Sequence, residues 1–236
     1  MATTPEAQIM TDNTETTRQE STATNMWHNI RANAINLGAM AIVAAALLAI
    51  VYVQTKPLII ANQRAAQIAA LTQVMPASYF DDELLQHAFV LPHAEQLHQA
   101  TDTLAYAAML NDKINGWVLP VVSPDGYSGA IQLLVGIDAH GSVTGVRITS
   151  HKETPGLGDK VDYQKSHWVD DFIGASLSSH TWAVKKDQGD FDQFTGATIT
   201  PRAVVNAVHL ALSHRQQYQA QMLAALSSDK TSTGEP

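Results

Sequence analysis

The sequence predicts an α+β protein: one N-terminal membrane-spanning helix, then a domain built on an antiparallel sheet flanked by helices. Three observations carry this prediction. Residues 32–55 form a run of 24 without a formal charge. Between Trp117 and Thr149, three apolar stretches alternate with clusters of turn-forming residues. From Pro201 to about Leu226 the apolar spacing is that of a long helix.

Residues 1–31 are rich in Thr, Glu, Ala and Ser and hold little apolar side chain, so they are expected to be a disordered polar tail. Residues 32–56 follow as the transmembrane helix. About 20 apolar residues at 1.5 Å rise cross a hydrocarbon core. A cleaved signal peptide is the rival reading, but its apolar stretch typically runs to about 7–15 residues and ends at a small-residue site. Here the run is longer and passes into Val51-Tyr52-Val53-Gln54. Arg18 and Arg31 precede the span while Lys56 and Arg64 follow it, so flanking charge does not orient it.

Residues 57–112 read as a helical stalk and connecting region. Leu58–Val74 is Ala- and Gln-rich with helical spacing, Pro76 breaks it, and Leu84–Leu110 is ambiguous around Pro92. Residues 113–228 read as the globular domain. Strands are expected at Trp117–Val122, Ala130–Ile137 and Val143–Thr149, with turns at Ser123-Pro124-Asp125-Gly126 and Asp138-Ala139-His140-Gly141. A short fourth strand is expected at Thr181–Val184. Residues 229–236 are expected to be a disordered C-terminus.

Composition excludes several functions. With 14 Lys and Arg against 22 Asp and Glu, the net charge is −8. Phosphate-backbone binding needs a basic face, so no nucleic-acid partner is expected. The chain has no cysteine, which rules out a disulfide, a Cys-ligated iron–sulfur cluster and thioether-linked haem. An electron carried here has to sit on an organic cofactor or on His and carboxylate ligands.

The most informative segment is Asp192-Gln193-Phe194-Thr195-Gly196-Ala197-Thr198-Ile199-Thr200-Pro201. Pro201 suits the first position of a helix, and Thr200 before it suits an N-cap whose hydroxyl accepts from a free backbone N–H. Thr195-Gly196-Ala197-Thr198 then lies beside a helix N-terminus, where unpaired N–H groups and a partial positive charge favour an anion. Gly196 and Ala197 present little side chain to obstruct a phosphate. On these residues alone, an ordinary capped helix start is the favoured reading.

Asp192 to Thr198 matches the Asp-x-x-(Ser/Thr)-Gly-Ala-Thr signature at which a dedicated transferase attaches FMN to threonine. Further segments are similar to landmarks of the same family: Gly126-Tyr127-Ser128-Gly129, Gly136-Ile137-Asp138 and the string from His151 to Lys160. Together they resemble the RnfG family, the flavin-bearing G subunits of the Rnf (or Rsx) ion-translocating electron transport complex. The resemblance covers about residues 34–215. The C subunit of the sodium-pumping quinone reductase shares the flavin domain, but the His151–Lys160 string fits the Rnf branch better.

The resemblance implies that residues 113–228 are an FMN-binding domain and that the Thr198 hydroxyl carries the flavin as a phosphoester. It implies an electron relay between ferredoxin and NAD, coupled to sodium or proton translocation. The implied partners are other membrane and peripheral subunits and the flavin transferase. The implied location is a bacterial inner membrane with the flavin domain on the periplasmic side. Candidate cofactor contacts are Thr195, Gly196, Ala197 and Thr200, together with Glu153, Thr154, Gly156, Leu157, Gly158 and Tyr127. Physically, Pro155 fixes a bend while Gly156 and Gly158 permit a tight, side-chain-poor loop against which a planar ring can lie. A simple loop between strand and helix is the alternative. A membrane-anchored flavin sensor and a non-enzymatic binding module remain as rival functions.

Other clusters carry less. His93 and His98, like His209 and His214, are five apart, which does not stack them on one helix face, and no carboxylate pattern completes a metal site. Gly156-Leu157-Gly158 lacks the third glycine of a dinucleotide fingerprint. Adjacent Asp170 and Asp171 point to different faces, and Trp168 with Phe172 is expected in the core.

Overall fold

The computed structural model describes residues 5–81 and 84–232. The chain divides into two compact units, Met1–Asn62 and Gln63–Pro236. The first is a single helix, the greater part of α1 (Pro5–Val74). Its large apolar side chains, such as Leu37, Ile42 and Leu48, stand exposed. That arrangement is unfavourable in water and suits hydrocarbon. Asn33–Val74 is long and apolar enough to cross a membrane.

The second unit is a five-stranded antiparallel sheet in sequential order: β1 (Ala88–Val90), β2 (Leu104–Leu110), β3 (Lys113–Ser123), β4 (Ile131–Asp138) and β5 (Val143–Ser150). Period-two alternation sorts its side chains onto two faces. On one face Trp117, Leu119, Leu133, Val135 and Val146 join a core with Val204, Val205, Val208 and Leu212 of α2 (Ile199–Ser232). On the other, Ala108 and Val118 pack against Leu71, Val74 and Met75 at the end of α1. Each large aliphatic side chain so buried contributes about 1.5–3 kcal/mol. Asn111 and Asp112, both at positive φ, make the two-residue turn between β2 and β3. Pro120 sits where β3 has run past its pairing with β2, so its missing N–H removes no ladder bond there.

Glycines let the end of α1 lie directly on the sheet. Gly136 pairs with Gly145 across β4 and β5, and a Cβ on Gly136 would stand 2.1 Å from the Val74 carbonyl oxygen. That carbonyl, one of the helix's last, accepts from the Thr144 hydroxyl at 2.6 Å. Gly136→Ala is therefore expected to destabilise the domain by about 1–3 kcal/mol, because backbone has to move. Urea denaturation of the variant beside wild type checks this, and equal midpoints would contradict it.

Several sequence expectations need correction. Helix α1 begins at Pro5, inside the expected polar tail, because no Gly or Pro lies between Glu6 and Leu37 to halt propagation from the anchor. It also runs through Pro57 to Val74, so no element ends at residue 56. The expected helical connection at 57–112 holds β1 and β2, and the sheet therefore starts before residue 113. Thr181–Val184 forms no strand, only a bridge between Val184 and Phe191. Helix α2 starts at Ile199, ahead of Pro201, and extends to Ser232. Residues 1–4 and 233–236 of the two expected tails lie outside the described residues. Strands β4 and β5 stand where the turn residues put them, while β3 ends at its expected turn but starts at Lys113, ahead of the expected Trp117.

His209 and His214 have packing roles. His214 is buried, with Nε2 2.9 Å from the Pro92 carbonyl oxygen, and burial holds its imidazole below the usual range. His209 stacks on Trp182 at 5.5 Å.

Candidate functional site

Three segments meet around the start of α2. The first is the β3–β4 connection at Gly126–Gly129, the second is the loop after β5 at Glu153–Gly158, and the third is Gly196–Thr200. The third is shaped by a tight turn. The Ala197 N–H donates to the Phe194 carbonyl at 3.1 Å, and Gly196 has φ +82°, the positive value that a type II turn requires at its third residue. The turn delivers Thr198 to the head of α2, where its carbonyl accepts the first helical bond from the Arg202 N–H at 3.3 Å. Thr198 thus occupies the N-cap position. The N–H groups of Ile199 and Thr200 belong to the first turn, which has no intrahelical acceptors for them. Pro201 has no N–H to satisfy.

The second segment is tied into a knot by one carbonyl. Thr154 O accepts from the N–H groups of Leu157 (3.1 Å), Gly158 (3.2 Å) and Asp159 (3.4 Å). The Asp159 carboxylate adds a bond from Gly156 N–H at 2.8 Å. Gly158 has no room for a side chain, since a Cβ there would stand 2.7 Å from Thr200 Oγ1 and 3.0 Å from Glu153 Oε2. Glu153 is buried. Its carboxylate accepts from the backbone N–H of Ser128 at 2.9 Å and of Tyr127 at 3.3 Å, and from the Thr200 hydroxyl.

Between the segments lies an open cleft of about 290 Å³, lined by Tyr127, Glu153, Thr154, Leu157, Gly158 and the five residues from Gly196 to Thr200. Its walls are chemically mixed. Leu157 and Ile199, each 44 % exposed, and Tyr127 at 68 % offer apolar surface to a ligand. The start of α2 offers N–H donors and a partial positive charge, and Thr198 and Thr154 offer hydroxyls. Such a cleft accepts a phosphate at the helix end with a flat apolar body beside it.

The sequence-predicted residues converge here with two exceptions. Thr195 and Gly156 stand off the wall, exposed at the outer corners of their turns. Ile199 lines the cleft but was not anticipated; its signal was an apolar residue between two threonines at a helix start. Thr200 is not the N-cap. It is the second residue of α2, 1 % exposed, and its hydroxyl donates to Glu153 instead of accepting from a backbone N–H. The reason is that α2 begins two residues before Pro201, which moves the cap to Thr198. Trp168 and Phe172 lie in the core, as expected. Of the adjacent aspartates, Asp170 approaches Arg147 at 3.5 Å.

An FMN-binding domain family matches residues 126–213, which contain the whole cleft. The RnfG N-terminal region family matches residues 24–74, most of α1. Relatives extend over most of the chain. The G subunit of the ion-translocating oxidoreductase complex of Aliivibrio fischeri strain MJ11 is 42 % identical over 201 residues, 84 % of this chain and 96 % of that protein. The protein of the same name from Escherichia coli K12 is 45 % identical over 200 residues, with the same coverage. That of Pseudomonas aeruginosa strain UCBPP-PA14 is 45 % identical over 195 residues, covering 81 % and 91 %. With a cleft of this kind inside the FMN-binding region and relatives this similar along both units, the chain belongs to the RnfG family, the G subunits of ion-translocating oxidoreductase complexes.

Proposed function

We propose that the chain is the FMN-carrying electron relay of a membrane-bound ion-translocating oxidoreductase, with the flavin phosphate esterified to Thr198. The observation that carries this reading is the position of Thr198. It caps α2 at the edge of the cleft, inside the region that matches the FMN-binding domain family. The residues present fit the group. The free N–H groups of Ile199 and Thr200 suit its phosphate, and Tyr127, Leu157 and Ile199 suit its ring system. Flavin supplies both one- and two-electron chemistry, so a relay bearing it can join unlike carriers. The chain's own residues hold and orient the group and shield one side of it from water. An ester bond suits a relay, since its cofactor has to stay in place between turnovers.

The same reading extends to the assembly. The electrons pass between ferredoxin and NAD, sodium ions or protons are moved, and the other subunits of the complex are the electron partners. A flavin transferase completes maturation. The anchor is retained in the inner membrane with the flavin domain in the periplasm. Two measurements test these statements. Full-length protein made with the transferase, denatured and run on a gel, is expected to give a yellow-green fluorescent band; a dark band removes the covalent-flavin reading. A reporter active only in the periplasm, fused after Pro236, is expected to be active. Activity of a cytoplasmic reporter there instead would reverse the orientation.

A further inference from the structure

Glu153 and Thr200 are buried polar residues that form part of the cleft's wall, yet their polar atoms are engaged with each other and with backbone. Burying a carboxylate is costly unless donors surround it. Here three do, and they come from two segments other than the one that holds Glu153. Ser128 and Tyr127 N–H belong to the β3–β4 connection, and the Thr200 hydroxyl belongs to the first turn of α2. Glu153 itself opens the loop that carries Leu157. One side chain therefore joins all three segments of the cleft. Gly158 leaves the space this junction needs, because any Cβ there would press on both Thr200 Oγ1 and Glu153 Oε2. A second tether acts on the same loop, with Glu153 N–H donating to His151 Nδ1 at 3.1 Å.

We propose that Glu153 is the positioning residue of the flavin site: its buried carboxylate holds the helix start that carries Thr198 in register with the loops bearing Tyr127 and Leu157. This rests on the reading of Thr198 as the flavin-bearing residue. Glu153 does not act on the flavin itself. It fixes the distance between the attachment point and the surfaces on which the flavin ring rests, which neither the turn at Phe194–Ala197 nor the Thr154 knot can do alone. Both of those are local to one segment. Thr200 is its necessary partner, because its hydroxyl is the only part of this junction that belongs to α2.

The test uses full-length protein in membranes, made with the transferase, as wild type and as Glu153→Ala, Thr200→Val and Thr200→Ser. Thr200→Ser keeps the hydroxyl, and Thr200→Val keeps the shape without it. Two readouts separate the junction from the flavin: amide exchange across residues 126–129, and the initial rate of flavin attachment followed by intact mass. Iodide quenching of the attached flavin's fluorescence then reports its seating.

Glu153→Ala and Thr200→Val are expected to remain folded by circular dichroism and to attach flavin at least 10-fold more slowly. The flavin they do attach should be quenched at least 2-fold more readily. Exchange at 126–129 is expected to rise at least 10-fold in Glu153→Ala, while Thr200→Ser behaves as wild type on every measure. Faster exchange with wild-type attachment and quenching would show a junction that positions nothing, and overturns the proposal. Thr200→Ser failing as badly as Thr200→Val overturns it too, since the hydroxyl would not be what matters. Wild-type protein without flavin overturns the Thr198 reading as well, and the exchange data then still report whether Glu153 joins the segments.

Discussion

Thr198→Ala is expected to abolish covalent flavin completely while leaving the domain folded. The structure separates Thr198 from the two neighbouring threonines. Thr195 is exposed at the corner of its turn and off the cleft wall. Thr200 is 1 % exposed and its hydroxyl is committed to Glu153. Thr198 alone combines a hydroxyl at the cleft with a place beside the open N–H groups of α2. Its own carbonyl makes the first helical bond, and alanine keeps that bond, so the stability change is expected to stay within the about 0.5–2 kcal/mol of an N-cap substitution. Intact-mass measurement reads the result directly. A Thr198→Ala chain that still carries a flavin increment would move the attachment elsewhere, and Thr195→Ser, which preserves the Asp192–Thr198 signature and should keep its flavin, is the control.

How much of this was legible beforehand depended on the range of the interactions. Strands β3, β4 and β5 are bounded by short-range signals, the Pro-Asp-Gly and Asp-Ala-His-Gly turns, and those signals were sufficient. Strand β2 was missed because its residues, Leu104-Ala105-Tyr106-Ala107-Ala108-Met109, are good helix formers. What makes them a strand is tertiary. Ala105, Ala107 and Ala108 are fully buried between the sheet's neighbours and its two covering layers, where small side chains are what fits. Thr181–Val184 shows the opposite error, since β-branched residues there found only a single bridge partner. At the site, the turn chemistry of Thr195-Gly196 and the side-chain-poor loop at 156–158 were readable because glycine carries local information. The Glu153–Thr200 contact spans 47 residues of sequence, and no local pattern encodes it. The start of α2 was misplaced by two residues because Pro is tolerated anywhere in the first turn, where N–H groups lack intrahelical partners in any case.

Trp168→Ala is expected to have the largest effect on stability, about 3–5 kcal/mol, a sizeable share of the roughly 5–15 kcal/mol that holds an ordinary domain together. Trp168 is 8 % exposed and sits edge-on to Phe172 at 5.3 Å and to Phe194 at 5.2 Å. Its indole N–H donates to the Asp192 carbonyl at 2.9 Å. Phe194 opens the turn that presents Thr198, so this one side chain links the core to the Asp192–Thr198 segment at two points. The two contributions are separable. Trp168→Phe keeps an aromatic ring beside Phe172 and Phe194 and loses the donor to Asp192. It is expected to cost less than the alanine change: about 0.5–1.5 kcal/mol for the bond plus the smaller ring's lost contact. Trp168→Ala removes the support beneath Phe194 as well, and the Asp192–Thr198 segment is expected to loosen together with the core. Urea denaturation of full-length protein in detergent gives both stabilities, and intact mass gives the flavin content of the folded fraction. The expected order of midpoints is wild type, then Trp168→Phe, then Trp168→Ala. An alanine variant that unfolds at the wild-type midpoint would mean that the aromatic cluster does not support the turn, and that Phe194 is held by the sheet and α2 alone.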